Sequence, residues 1–195
     1  MNKLITLGAA LVAVAFSTTV ASAADATYVR ASTAWFEPVD SDGFDGELGG
    51  LIAVGQTFGA HNLEAEIGYV EFSESGSFAG FTGTADLEVI PVTLGYRYDL
   101  ELSDKLKLGV GANTGIAFTE LSVGVSGLGS GSDTDTVWIA SGGLRLTYAL
   151  TDAVALTAAY RYILVDDLSF SDAGVTVELE DNDTHAFELG VEYRW

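Results

Sequence analysis

Eight stretches of this chain alternate apolar and polar residues with a period of two over roughly ten positions, which leaves few folds open. They run approximately over 27–36, 48–58, 63–72, 88–100, 106–119, 136–150, 154–165 and 184–195, with clusters of Gly, Asp and Ser between them. A soluble strand averages about 5–6 residues, whereas a tilted strand that crosses a bilayer needs ~9–11. No apolar run of helix-spanning length follows Ala24. The spacing predicts an all-β fold, an eight-stranded antiparallel up-and-down barrel whose strands are long enough to span a membrane.

The connections sort by length. Glu37–Glu47, Ser73–Leu87, Glu120–Asp135 and Asp166–Asp183 are long. They alternate with the short Gly59–Asn62, Ser103–Lys105 and Thr151–Ala153. Outer-membrane barrels have this pattern, with short turns in the periplasm and long loops outside. A soluble sandwich has no reason to sort its loops this way.

Parity then assigns the faces. In the last segment Phe187, Leu189, Val191, Tyr193 and Trp195 oppose Glu188, Gly190, Glu192 and Arg194. In the sixth, Trp138, Leu144, Leu146 and Tyr148 oppose Ser141, Gly143, Arg145 and Thr147. A soluble half-buried strand alternates in the same way, with its apolar face inward. Two features favour the reverse. The polar face is rich in Gly, Ala, Ser and Thr with isolated charges, which suits a narrow lumen. Aromatics also collect at both ends of the apolar face: Trp35, Phe118, Trp138 and Phe187 at one, and Phe58, Tyr96, Tyr98, Tyr148, Tyr193 and Trp195 at the other. Two such girdles mark membrane interfaces. Some residues fit poorly. Gln56 takes the outward parity of the second segment, Val70 and Phe72 break the parity of the third, and Pro91 implies a bulge or a broken ladder bond.

Composition narrows the setting. The chain has 195 residues, 28 acidic and eight basic side chains, and a formal charge of −20. Electrostatic binding to nucleic acid needs clustered Lys and Arg, so that class of partner is excluded. The absence of Cys rules out disulfides and Cys-ligated metals. At the N-terminus a basic head at Lys3, an apolar run from Leu4 to Phe16 and the small-residue end Ala21-Ser22-Ala23 read as a cleaved export signal over residues 1–23. A barrel domain over 24–195 follows. A retained N-terminal anchor is the other reading, and the run is short for a bilayer span, which takes ~20 residues.

The segment Glu188-Leu189-Gly190-Val191-Glu192-Tyr193-Arg194-Trp195 resembles the C-terminal assembly signal of outer-membrane barrels, carried here by Gly190, Tyr193 and Trp195. Leu102-Ser103-Asp104-Lys105-Leu106-Lys107-Leu108 and Leu150-Thr151-Asp152-Ala153-Val154 resemble the turn regions of small OmpA-like and opacity-type, porin-like proteins. The resemblance covers the whole mature chain. It implies residence in the outer membrane of a diderm bacterium, insertion by the outer-membrane assembly machinery, and contact with lipid and lipopolysaccharide. OmpA itself has a peptidoglycan-binding domain after its barrel; no such tether is implied for a chain that stops at Trp195.

All five Arg (Arg30, Arg97, Arg145, Arg161 and Arg194) fall on the lumen parity, with Glu64, Glu66, Asp99, Lys107, Glu188 and Glu192. Arg facing lipid near the midplane costs ~2–4 kcal/mol, which explains the exclusion. A narrow lumen holding these groups would pair them, since unpaired charge in a low-dielectric interior is costly. Two roles are open: a plug that satisfies interior charge, and a gate or constricted path for ions or small solutes. Eight strands leave a bore just wide enough for side chains, which favours the plug. The expected role is accordingly structural: envelope integrity and presentation of loops.

The long connections hold most of the acid and could recruit divalent cations. Asp40-Ser41-Asp42-Gly43-Phe44-Asp45 offers ligand types suited to Ca²⁺ but lacks the EF-hand spacing, so no specific metal site or cofactor is expected. Gly124–Asp135 reads as flexible linker. Enzyme chemistry has little support. Of the two His, His61 lies in a short turn, and His185 has no Ser at a nearby same-face position. HExxH, GxSxG and phosphate-loop fingerprints are absent from the sequence.

Overall fold

A computed structural model describes residues 25–39, 45–78, 81–127, 129–172, 175–179 and 183–195. The expected export signal and most of the Asp40–Asp45 stretch lie outside them. Eight strands close into a barrel: β1 (Ala26–Pro38), β2 (Glu47–Phe58), β3 (His61–Phe78), β4 (Phe81–Ser103), β5 (Leu106–Val125), β6 (Gly129–Ala149), β7 (Val154–Val165) and β10 (Thr184–Arg194). Each pairs antiparallel with its neighbours in sequence, and β1 pairs with β10 from Tyr28↔Arg194 to Pro38↔Thr184 to seal the cylinder. A short hairpin, β8 (Leu168–Asp172) with β9 (Val175–Leu179), branches from the chain between β7 and β10. Closure leaves no unpaired strand edge, a condition for placing backbone in hydrocarbon.

The strand parity faces its apolar side outward. Leu94 is 63% exposed, Leu189 66% and Leu144 49%, whereas Arg30 is 1% and Arg145 7% exposed. A water-soluble protein does not show so continuous an apolar surface. On β6 the outward aromatics Trp138 and Tyr148 stand ten residues apart. At ~3.4 Å per residue and a tilt of 35–45° that is a height of roughly 25 Å, matching the apolar band of outer-membrane barrels. Trp35 and Phe187 sit at one level because they are register partners.

Two expectations are corrected. The third and fifth connections are not loops over most of their length. The β3–β4 ladder continues through Glu74↔Ala85 to Phe78↔Phe81, and the β5–β6 ladder through Leu121↔Asp133 to Val125↔Gly129. Gly124–Asp135, expected as linker, is therefore mostly paired strand, because cross-strand hydrogen bonds satisfy the backbone whatever the side chains are. Pro91 interrupts pairing without a bulge. Ile67↔Val92 and Val70↔Val89 keep one register on either side of the gap opposite Gly68 and Tyr69. The register irregularity that does occur lies at Glu101/Ser103.

Just beyond the outward Tyr69, Ile90 and Phe118, three carboxylates line up as direct cross-strand neighbours, Glu71↔Glu88↔Glu120. They lie past the aromatic girdle, outside the apolar band. Burial first, and then the carboxylates of Glu120 and Glu71, hold the Glu88 carboxyl above its ordinary range. A raised carboxyl pKa means that the folded state keeps a proton the unfolded chain releases. Stability from this group therefore falls as pH rises from the unfolded value towards the folded one, and the penalty persists above both. Like charges directly opposite cost up to about 1 kcal/mol. Glu88→Gln is expected to raise the urea midpoint at neutral pH, with the gain shrinking as pH falls towards the ordinary carboxyl range; a gain independent of pH would dismiss the electrostatic cause.

Candidate lumen charge network

The lumen divides into two halves. Towards the short turns and the chain termini it is charged. Four guanidinium groups (Arg30 on β1, Arg97 on β4, Arg145 on β6, Arg161 on β7) meet four carboxylates (Glu64 and Glu66 on β3, Asp99 on β4, Glu188 on β10), all nearly inaccessible to solvent. The formal charges cancel. That balance matters, because an uncompensated charge here would have neither water nor a partner.

Glu64 is the hub. Its Oε1 accepts from Arg30 Nη2 at 3.1 Å and Arg145 Nη2 at 3.0 Å. Its Oε2 accepts from Arg97 Nη1 at 2.9 Å, Arg145 Nη1 at 2.6 Å and the Tyr28 hydroxyl at 2.7 Å. The Arg97 guanidinium also lies 5.7 Å from the Tyr28 ring centre and donates Nε to Asp99 Oδ1 at 2.7 Å. Glu66 forms the second node: Arg161 grips it with both Nη atoms at 2.7 and 3.1 Å, and Arg30 Nη2 reaches it at 2.6 Å. Glu188 joins Arg30 at 3.1 Å to Arg161 Nε. In the ring of eight strands β7 lies diametrically opposite β3, so the Arg161–Glu66 fork crosses the whole bore.

Glycine makes the room. A Cβ on Gly109 would come within 2.4 Å of Arg97 Cδ, and one on Gly143 within 2.9 Å of Arg161 Cγ. At these two positions a long cation lies flat against the wall. A small void of about 30 Å³ beside Glu64, Asn113 and Arg161 has room for water.

Three of the sequence-predicted charges stand apart from this cluster. Lys107 takes the lumen parity but sits at the short-turn rim, 30% exposed, with Nζ 3.2 Å from Glu101 Oε1; it is not part of the buried network. Parity fixes a face and leaves depth open. Glu192 is buried and paired with Arg194 at 2.6 Å, and Arg194 is itself partly open to solvent. Among the assembly-signal residues, Tyr193 and Trp195 face outward and stack at 5.9 Å, while Gly190 turns inward, where a Cβ would meet Ser32 Oγ and Thr157 Oγ1 at 2.8 Å.

The other half of the lumen, towards the long hairpins, went unread in the sequence. Its inward positions are apolar: Ala34, Phe36, Val70, Phe72, Leu87, Ala117, Val137 and Ile139 pack together there. Val70 and Phe72 keep the inward parity of Glu64 and Glu66; what changes along β3 is the polarity of the lumen. The signal was present in Val137-Trp138-Ile139 and Ile163-Leu164-Val165, runs apolar on both faces.

The two His stand on the outer surface: His61 Nδ1 is 2.6 Å from the Tyr96 hydroxyl and His185 Nδ1 is 2.9 Å from that of Tyr160. Among the described residues no group of three or more His, Asp or Glu is placed to hold a metal ion.

Comparison with known proteins agrees with this architecture. The family model "Outer membrane protein beta-barrel domain" matches residues 7–194. No curated protein matches the chain. Among solved structures, OprG, an outer membrane protein of Pseudomonas aeruginosa, superposes with a TM-score of 0.60 at 16% identity, covering 88% of this chain and 96% of its own. A major outer membrane protein from Thermus thermophilus gives 0.59 at 12% identity, with 87% and 98% covered. Neisserial surface protein A gives 0.55 at 19%, with 86% and 96% covered. Closed ring, outward apolar band and matched family together identify the chain as a member of the outer membrane protein β-barrel domain family, resident in the bacterial outer membrane.

Proposed function

We propose that this protein is a closed structural barrel of the outer membrane, plugged by its own charge network, with a role in envelope integrity and in presenting acidic loops outside the cell. The carrying observation is the Arg161–Glu66 fork, two hydrogen bonds that link opposite walls across the lumen. The void of about 30 Å³ beside it is too small for a hydrated ion. In this orientation the termini and short turns face the periplasm. The long hairpins project outward, where their carboxylates would meet divalent cations and the phosphates of lipopolysaccharide.

Planar-bilayer recording tests the plug. Folded wild-type protein, checked by heat-modifiable gel migration, is expected to give no discrete openings. The charge-balanced pair Arg161→Ala with Glu66→Ala removes the fork; joined to Phe36→Ala and Leu168→Ala, which clear the apolar half above it, it should give openings in protein that still folds. Steady unit conductance from the wild type would establish a channel and overturn the closed-barrel reading.

A further inference from the structure

We propose that the outer half of the lumen is a binding chamber for a small uncharged apolar molecule, about the size of a single aromatic ring. Above the charge network lies a cavity of about 110 Å³ whose wall is carbon almost throughout, with Phe36, Val70, Leu87 and Ile139 around it. Leu168, 3% exposed, lines it on the long-hairpin side. That residue is held over the lumen by two bonds to β6: Asp166 N–H to the Trp138 carbonyl at 3.1 Å, and Ser169 N–H to Asp135 Oδ2 at 2.9 Å.

Three arguments set the ligand class. A buried water needs two to four polar partners, and apolar cavities without them stay dry. Of the two threonines in the wall, Thr119 donates its hydroxyl to the Asp135 carbonyl at 3.2 Å, and Thr184 is likewise engaged. Volume sets size: a dry cavity of about 150 Å³ lined by Leu, Ile and Phe admits benzene or xenon, and this one is somewhat smaller. Charge sets the limit below. The buried carboxylates and guanidinium groups of the floor pair with one another and their formal charges cancel, so an ionic ligand would add a charge that nothing there balances. The inference goes beyond the closed-barrel reading and is tested apart from it, because it is read by binding and not by conductance.

Benzene titration of methyl-labelled protein in lipid nanodiscs tests it by nuclear magnetic resonance. Methyls of Val70, Leu87 and Ile139 are expected to shift along a saturating curve. Outward methyls of Leu94, Leu144 and Val191 should drift linearly as benzene partitions into the lipid. Linear drift at both sets means partitioning alone and overturns the proposal. Ala117→Phe places a ring inside the chamber and should abolish saturation; a folded Ala117→Phe barrel that still saturates also overturns it. If that variant fails to fold, Leu168→Ala, outside the barrel wall, decides. It should weaken benzene binding at least about fourfold, the worth of one buried methylene, and undiminished binding would refute the chamber.

Discussion

Glu64→Gln should destabilise the folded barrel by about 3–5 kcal/mol, the cost of removing one partner from a buried ionic cluster. The size follows from the hub. Three guanidinium groups and the Tyr28 hydroxyl share this carboxylate, so its loss leaves net positive charge in the buried cluster. Urea titration of protein folded into lipid vesicles would read it as a lowered midpoint at unchanged slope. Arg145 makes its ion pair with Glu64 alone among the described residues, whereas Arg30 and Arg97 each have a second carboxylate. Adding Arg145→Gln therefore restores the charge balance and should recover roughly 0.5–3 kcal/mol as a coupling energy. A single variant within about 1 kcal/mol of the wild type, the range of an exposed pair, would mean that the cluster does not hold the barrel together.

Leu144→Arg should cost ~2–4 kcal/mol, and Leu100→Arg only ~0–1 kcal/mol, although the two leucines are 49% and 44% exposed. Solvent exposure alone predicts equal and small effects, since surface substitutions in water usually stay within about 0.5 kcal/mol. Depth in a bilayer separates them. Leu144 lies midway between the girdle residues Trp138 and Tyr148, and Leu100 lies past Tyr98 towards the short turns. Equal costs at the two sites, measured by the same titration, would place this face in water.

These tests also mark what could be read without coordinates. Strand number, pairing and outward face followed from period two, because lipid on one side and a narrow lumen on the other impose opposite chemistry on alternate residues. The hairpin extensions were hidden. Beyond the membrane the outward face loses its apolar signal while the ladder goes on, so Ser122↔Ser132 and Gly124↔Ser130 look like linker in sequence and are paired strand in space. Which lumen charges meet was hidden too. Contact across a barrel depends on strand stagger, a cumulative property of every register, and this is why Lys107 was misplaced while Arg161 and Glu66 gave no sign of facing each other. The apolar chamber was missed because a polar lumen was expected along its full height.

The β1–β10 seam has a consequence for assembly. Arg30 and Glu188 are 158 residues apart in sequence, and Arg161 and Glu66 are 95 apart. Neither contact can exist in a half-curled sheet, so the loop-closure entropy of both must be met before either returns any enthalpy. A partly inserted intermediate would hold stranded cations on its concave side and gain little from the strands already in lipid. Completion of the ring thus becomes cooperative: closing the seam brings Arg30 to Glu64, Glu66 and Glu188 in a single step.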